Sequence, residues 1–374
     1  MRDYKVPKYN YAAQFRALRD GLVPEIERLL LDGRYVLGPP TEEFERAFAH
    51  FLGGVGVAGL NSGTDALVLA LDAVGVRAGD EVVTVANTFH ATALAAARLG
   101  ATPVFVDCRE SDFLVDLDQV PAALGPRTRA VVVVHLFGQA VDVERAIGIC
   151  AAGGVTLVED CAQAVGARSG GHRVGTRSSA GCWSFSPAKN LAAAGDAGAI
   201  STPDPEVARR VALLRHFGQP RQNEHEILGY NSRLDAIQAL VLSHKLDMVD
   251  DWSRARGEVA ARYRAELSGL PLRFQEGAAP EEHVYHLFQV RTESERVRDA
   301  LVDHLQDHGI DAVVRYPVPL HLQPAFADLG LRRGRFPVAE KLAVETLCLP
   351  IRPDLDEGDI SYVCETVRGF YGTP

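Results

Sequence analysis

The chain has 374 residues, of which 47% are hydrophobic and 24% charged, with a formal net charge of -10. That length exceeds one simple core and fits a large domain plus a smaller one. The negative balance excludes a role in coating nucleic acid, which needs a basic face, but admits an anionic small substrate wherever a few Arg and His residues converge.

Near the amino end, Pro24 to Leu31 reads as a helix ending at Asp32-Gly33. Arg34-Tyr35-Val36-Leu37-Gly38-Pro39-Pro40 breaks it, and Thr41-Glu42-Glu43-Phe44-Glu45 has the form of a capped start for the next. From about residue 55 to 160, apolar strand-like runs (Val55 to Leu60, Glu81 to Ala86, Pro103 to Asp107, Ala130 to Leu136, Val155 to Glu159) alternate with helical patterns. The helical patterns are Thr64 to Val74, Ala91 to Leu99 and Val143 to Ala152. Such alternation predicts crossover units on a mostly parallel sheet buried on both faces, an α/β fold. Gly181 to Phe185 and Gly198 to Ser201 read as two further strands too close together for a crossover helix, so one of them is antiparallel.

After Asn231 a long helical pattern runs from Leu234 to Leu267, softly interrupted near Asp250-Asp251 and stopped by Ser268-Gly269-Leu270-Pro271. Beyond it come a strand (His286 to Arg291), a helix (Arg296 to Gly309), another strand (Ala312 to Arg315) and terminal helices (Val338 to Leu347, Glu357 to Tyr371). The expected division is a large cofactor-binding domain over 1–248 and a small α+β domain over 249–374. Six scattered cysteines, without a paired spacing, indicate neither a zinc site nor a disulfide framework. The opening Met1-Arg2-Asp3-Tyr4-Lys5 lacks the apolar stretch of a signal peptide and no run reaches the length of a membrane helix, so the cytoplasm is the expected location.

Lys189 follows the apolar run Gly181-Cys182-Trp183-Ser184-Phe185 and precedes the small-residue loop Leu191 to Gly198. A lysine delivered there into a dry pocket loses its preference for the ammonium form, and the free amine can form a Schiff base with an aldehyde. Taken alone it reads as one more solvated surface charge. Its company changes that. Asn61-Ser62-Gly63-Thr64 lies between a strand and an Ala/Leu helix, a geometry that binds phosphate, although Ser62 or Thr64 reads equally well as a plain helix cap. Asp160 ends the strand Val155 to Glu159 on the edge where open α/β sheets place ligands, and a carboxylate there holds a pyridine nitrogen protonated. Gln163, three residues on, is placed to reach the ring's phenolic oxygen; Ser184 is a second phosphate donor, and Phe89 a stacking ring. Carboxylate, amide, phosphate cradle and amine together are what pyridoxal phosphate (PLP) requires.

The blocks Asn61 to Leu67, Glu159 to Ala164, Ser184 to Asn190, Gly195 to Gly198 and Gly229-Tyr230-Asn231-Ser232-Arg233-Leu234-Asp235 stand in one order, and the chain resembles the DegT/DnrJ/StrS family of sugar aminotransferases from about Gly33 onward. The resemblance implies a fold-type I PLP aminotransferase with a mostly parallel seven-stranded sheet, active as a homodimer with shared sites. It makes Lys189 the Schiff-base lysine, Asp160 the pyridinium partner, Gln163 the ring-hydroxyl contact and Phe89 the stacking residue. Gly63, Thr64 and Ser184 would hold the phosphate, with Asn231 arriving from the other subunit. Arg34, Tyr35, His90, Tyr316 and His321 are the expected substrate contacts. Many relatives carry an aromatic at the place of Ser186 and threonine at that of Ala188, which implies a roomier wall here.

The implied reaction moves an amino group from L-glutamate to the ketone of a nucleotide-linked deoxysugar, dTDP being the expected nucleotide and C3 preferred to C4. Three rivals are an inosose or aminoshikimate-type acceptor, sugar 3-dehydration, and a non-catalytic regulator that keeps the fold. Dehydrating relatives carry histidine at the lysine position, so Lys189 opposes the second.

Overall fold

The computed structural model describes residues 4–277, 279 and 282–372. Helices α1 (Tyr11–Asp32) and α2 (Pro39–Leu52) come first. α1 starts well before Pro24, where the sequence pattern begins it, because the Asn10 side chain accepts from Ala13 N–H and a proline inside a helix removes only one donor. Its buried face, Leu18, Leu22 and Leu29, packs on Ala236, Leu240 and Val241, which outweighs that loss. α2 starts at Pro39, which has no N–H to leave orphaned, after Gly38 at φ 88°.

Strands β1 (Gly56–Leu60), β2 (Glu81–Val85), β3 (Thr102–Val106), β4 (Thr128–Val134) and β5 (Thr156–Asp160) alternate with α3 (Gly63–Ala73), α4 (Ala91–Arg98), the short α5 (Val120–Ala123) and α6 (Val143–Gly153). A small hairpin of β6 (Arg168–Ser169) and β7 (His172–Arg173) precedes β8 (Ala180–Ser184) and β9 (Gly198–Thr202). Seven strands form one sheet in the order β1-β9-β8-β5-β4-β2-β3, and β9 alone runs antiparallel to its neighbours β1 and β8. Val83, Val131 and Val133 face one core and Val82, Val132 and Val158 the other, so both faces are dry. This is why these strands read as continuous apolar runs rather than alternating ones.

α7 (Pro205–Leu214) completes the large unit, followed by α8 (Ala236–Leu246) and α9 (Val249–Glu266). The long helical pattern therefore breaks at Asp247-Met248, not at Asp250-Asp251. The carboxyl-terminal part has a three-stranded antiparallel sheet of β10 (Arg273–Phe274), β11 (Phe288–Arg291) and β12 (Thr346–Leu349), covered by α10 (Glu295–Asp307), α11 (Pro337–Glu345) and α12 (Glu357–Phe370). Two sequence expectations change here. Ala312 to Arg315 is not a strand; only Val313 bridges to Cys348. The third strand is Thr346–Leu349, read from sequence as the end of a helix, because a buried four-residue apolar run carries no period that separates the two states. Val6 joins the core of this unit beside Val259, Tyr263 and Ile310.

Candidate active site

The carboxyl ends of β1, β2, β5 and β8 open on one cavity of about 400 Å³. Lys189, Asp160, Gln163, Gly63, Thr64, Ser184, Phe89 and Tyr316 all line it. A larger hollow, about 730 Å³, opens beside α9 and residues Gln275 to Gly277. It holds neither Lys189 nor Asp160, so the chemistry is assigned to the smaller one.

Asp160 is the last residue of β5 and is buried, with Thr92 Oγ1 donating to Oδ2 at 2.8 Å and Ala162 N–H to Oδ1 at 3.1 Å. Burial pushes its carboxyl above the usual range, against the opposing pull of the Thr92 hydroxyl, the Ala162 N–H and the Lys189 charge. A carboxylate held in that condition gains most from a cationic partner such as a pyridinium N–H. Behind it, buried His135 places Nε2 at 2.9 Å from Glu159, while its Nδ1 accepts from Val141 N–H at 3.0 Å. His135 N–H also binds the Asp160 carbonyl at 3.1 Å, fixing the strand end. Cys161 approaches the same pair, but both imidazole nitrogens are already engaged and burial pushes the thiol well up. We read this group as the support of Asp160.

Burial lowers the Lys189 amine to about 8; the Arg315 charge adds to the lowering and Asp160 opposes it. Lys189 N–H closes a turn on the Ser186 carbonyl at 2.9 Å, just past the end of β8. Gln163 is clamped at both ends of its amide. Oε1 accepts from Phe137 N–H at 2.6 Å, and Nε2 donates to Tyr316 Oη at 2.9 Å. The Phe89 ring, 44% exposed, lies 5.7 Å from that of Tyr316.

The phosphate end is built by close approach. A Cβ on Gly63 would fall 2.5 Å from Ser184 Cβ, and one on Gly198 would fall 2.4 Å from the Ser62 carbonyl carbon and oxygen. Both glycines therefore seat the start of α3 against β8 and β9. Ser62 spends its side chain on the Asp65 N–H, as a cap. The helix start leaves the N–H groups of Gly63 and Thr64 without intrahelical acceptors, and both residues line the cavity with Ser184, which suits a phosphate. Amine, carboxylate, amide, ring and phosphate cradle in one cavity fit PLP.

Five expected contacts do not line the cavity. Arg34 is exposed and stands 4.0 Å from Asp32, and Tyr35 donates its hydroxyl to the Leu30 carbonyl. His90, exposed, sits at the start of α4 with its ring 4.3 Å from that of Phe89. Asn231 is exposed, bridged to His216; the start of α8 falls to Asp235, so Asn231 does not cap that helix. His321 is corrected outright: it is buried, its Nε2 lies 2.9 Å from Glu340, and Glu340 also takes the Gly334 N–H, so the pair ties the Pro-rich loop to α11.

Sequence reasoning missed Tyr9, Thr92, His286 and Arg315. Asn190 donates Nδ2 to the Val284 carbonyl at 2.9 Å, so its Oδ1 must accept from His286 Nδ1–H at 3.2 Å. Burial, with the charges of Lys189, Arg256 and Arg315, keeps His286 well below its ordinary value and hence neutral. All four sit far from Lys189 in sequence; Thr92 and Arg315 lie within three residues of expected contacts, but their own side chains carry no local pattern that marks them.

A model of the DegT/DnrJ/EryC1/StrS aminotransferase family matches residues 18–368. The chain is 43% identical to the dTDP-3-amino-3,4,6-trideoxy-alpha-D-glucose transaminase of Streptomyces venezuelae, over 97% of this chain and 96% of that one. It is also 43% identical to the erythromycin biosynthesis sensory transduction protein EryC1 of Saccharopolyspora erythraea, over 97% and 99%. Among solved structures, S. venezuelae DesV in complex with a ketimine intermediate superposes with a TM-score of 0.94 at 43% identity, covering 98% of both chains. Fold and site thus agree with sequence likeness along nearly the whole chain, which belongs to the DegT/DnrJ/EryC1/StrS aminotransferase family and is a PLP-dependent aminotransferase.

Proposed function

We propose that the protein moves the amino group of L-glutamate onto the C3 ketone of a dTDP-linked deoxysugar, working as a homodimer. The observation that carries the reaction is the meeting of Lys189, Asp160 and Gln163 in one cavity. The position of amination is supported by the relatives, since five of those named as transaminases act, by their names, at a 3-amino or 3-oxo position.

PLP, when bound, supplies an electron sink for the carbanion formed at the carbon that loses its proton. Asp160 keeps a positive charge on the ring nitrogen. Phe89, and Gln163 held by Phe137 and Tyr316, would hold the cofactor ring. Lys189, whose amine burial lowers to about 8 so that its neutral form comes within reach near neutral pH, takes the proton from the donor's Cα and later returns one to the sugar carbon. The α3 start and Ser184 hold the phosphate.

A second copy is supported by the apolar surface beside the amino-terminal helix, where Leu31 is 82% and Tyr35 49% exposed, and by Leu228 at 96%. Asn231, exposed and three residues after Leu228, would reach a neighbour's phosphate. The regulator reading takes support from the names of two relatives, the sensory transduction protein and a pleiotropic regulatory protein of Geobacillus stearothermophilus, 40% identical. The complete set of site residues opposes it.

The test is incubation of the purified protein with 3-keto and 4-keto dTDP-6-deoxysugars plus L-glutamate, with the product identified by mass and NMR. A 3-amino sugar is expected. A 4-amino product would move the site of amination, and no product despite a visible cofactor band would turn the search to cyclitol ketones. Absence of that band would favour the regulator.

A further inference from the structure

We propose that Tyr9 is a specificity-determining residue of the sugar half-reaction, its hydroxyl meeting a sugar hydroxyl on a carbon that flanks the ketone; the inference rests on the keto-sugar reading given above. Tyr9 lines the cavity with Lys189 and Asp160, although it comes from the segment ahead of α1. That segment is strapped along the small carboxyl-terminal unit. Val6 is buried in the core of the unit, donates its N–H to the Gly309 carbonyl at 3.0 Å and accepts from Asp311 N–H at 3.1 Å. Lys8 N–H reaches Asp311 Oδ2 at 3.2 Å, Arg352 Nε donates to the Pro7 carbonyl at 3.0 Å, and Asn10 Nδ2 donates to Asp354 Oδ2 at 2.7 Å. The Tyr9 ring is stacked on that of Tyr11, with centroids 5.5 Å apart. The chain is thus held on both sides of Tyr9, and so is one face of its ring. The hydroxyl at the end of this ring, by contrast, makes no hydrogen bond with any described residue. Burial, and then the neighbouring Tyr11, pushes the phenol up to about 12 against the charge of Arg315, another lining residue, so the group stays a neutral O–H near neutral pH. A half-buried phenol ordinarily finds a partner, and one left without it on a cavity wall leaves a place for a ligand group.

What a phenol can offer says which half of the reaction it serves. It donates one hydrogen bond and accepts another, without charge in either role. A sugar hydroxyl does the same, and a 3-keto sugar presents one on each carbon beside the ketone unless that carbon is deoxygenated. The amino-acid donor brings no such group: a carboxylate only accepts, and a cation meets it better than a phenol does. Lys189, Asp160, Gln163 and Ser184, which line the same cavity, are taken up by the cofactor in the reading above, and none of them is left over to read the sugar. Tyr9 is, and the strap holds it in place before the sugar arrives. A hydrogen bond beside the ketone also restricts the turning of the sugar in the cavity, which favours one orientation of the carbon that receives the amine. Removing the flanking hydroxyl from the substrate, or the phenolic oxygen from the enzyme, breaks the same bond, so the two losses should not add.

The experiment uses wild-type and Tyr9→Phe holoenzyme matched for cofactor content; phenylalanine keeps the ring and its stack on Tyr11, and equal melting temperatures check the fold. The donor half-reaction is followed by the visible spectrum as L-glutamate is added without sugar. The sugar half is followed by adding a dTDP-linked 3-keto-6-deoxysugar to the amine-loaded enzyme, in three forms: with both flanking hydroxyls, without the one at C2, and without the one at C4. With the full sugar, the second-order rate constant of Tyr9→Phe should fall roughly 3- to 10-fold, the loss of one uncharged hydrogen bond, while the donor half changes less than about twofold. With one of the two deoxy forms, wild type should already be slower and the variant should match it within about twofold; which form it is identifies the hydroxyl. An unchanged sugar half overturns the proposal. So does an equal loss with all three sugars, which puts the contact elsewhere on the nucleotide sugar, or an equal loss in both halves, which marks a structural role. If wild type takes the amine from glutamate but passes it to none of the three sugars, the keto-sugar reading falls and the Tyr9 contact with it, whereas the other outcomes strike Tyr9 alone.

Discussion

Replacing Lys189 with methionine should destroy transamination and yet stabilise the cofactor-free protein near neutral pH. In the fold the amine is lowered from 10.5 to about 8 by burial. At about 1.4 kcal/mol per pH unit, this gives a folding penalty on the order of 3 kcal/mol wherever both states are below their titration ranges. Lys189 is partly open to the cavity, so solvent screening reduces the expected figure to about 2 kcal/mol. The sign follows from proton counts. Between about pH 8 and 10.5 the unfolded chain holds a proton that the folded one has lost, so wild-type stability rises with pH there, while the methionine variant has no such group to titrate. Methionine keeps the volume of the lysine stem, so no cavity term enters. Urea unfolding of the two apo-proteins at equal protomer concentration should therefore show the variant ahead by about 2 kcal/mol at pH 7, with the gap falling to under about half by pH 9.5. A gap that is absent at pH 7, or one that does not change with pH, would refute the claim that a desolvated amine sits at this position.

Three further outcomes are expected. Asp160→Asn keeps the shape but removes the charge that holds the ring nitrogen protonated, so the glutamate half-reaction should slow by roughly two orders of magnitude or more while part of the cofactor affinity survives, read by stopped-flow absorbance and cofactor titration. Gly63→Ala drives a methyl to 2.5 Å from Ser184 Cβ, and the forced separation should weaken cofactor binding at least tenfold, measured by equilibrium dialysis, with a smaller change in melting temperature. Mixing Lys189→Ala with Asn231→Ala protein under subunit exchange should raise activity above either parent if Asn231 serves the neighbouring site, because the heterodimer gathers both lesions into one site and leaves the other intact; no rise would confine Asn231 to its own chain.

What the sequence made legible follows the range of the physics behind each feature. The parallel strands showed as apolar runs because both faces of the sheet are buried, and the antiparallel strand because Gly181 to Ser201 leaves no room for a crossover helix. Lys189, Asp160, Gln163 and Ser184 sit at strand ends, where the sequence turns from apolar to polar within a few residues, so local pattern reached them. β12 was misread because four buried residues have no period. Thr92, His286 and Arg315 gave no signal, since their chemistry exists only once remote segments meet: Thr92 is an ordinary helix threonine until β5 brings Asp160 to 2.8 Å. His321 erred the other way. A histidine in a loop that borders a cavity looks like a contact, and only the third dimension shows its ring facing Glu340 inside the core.

The charged residues that work in this site share one property, which separates them from the ion pairs elsewhere in the chain. Surface pairs such as Arg127 with Glu81 meet their counter-charge within the chain. So does the buried pair of Arg291 and Glu345, at 2.6 Å. In the cavity the opposite holds: the Lys189 amine and the Asp160 carboxyl are both shifted by burial toward their neutral forms, and the Arg315 guanidinium has no hydrogen-bond or ion-pair partner among the described residues. Each is a cost to the folded chain that could have been removed by a nearby residue of opposite sign. A cofactor bearing an aldehyde and a protonatable ring nitrogen offsets the first two, and a donor carboxylate offsets the third, so ligand binding should stabilise the fold in two separable steps. The amine could be relaxed by pairing it in the fold, but a paired ammonium could neither carry the cofactor nor accept the Cα proton; the instability of this corner is therefore a condition of its activity.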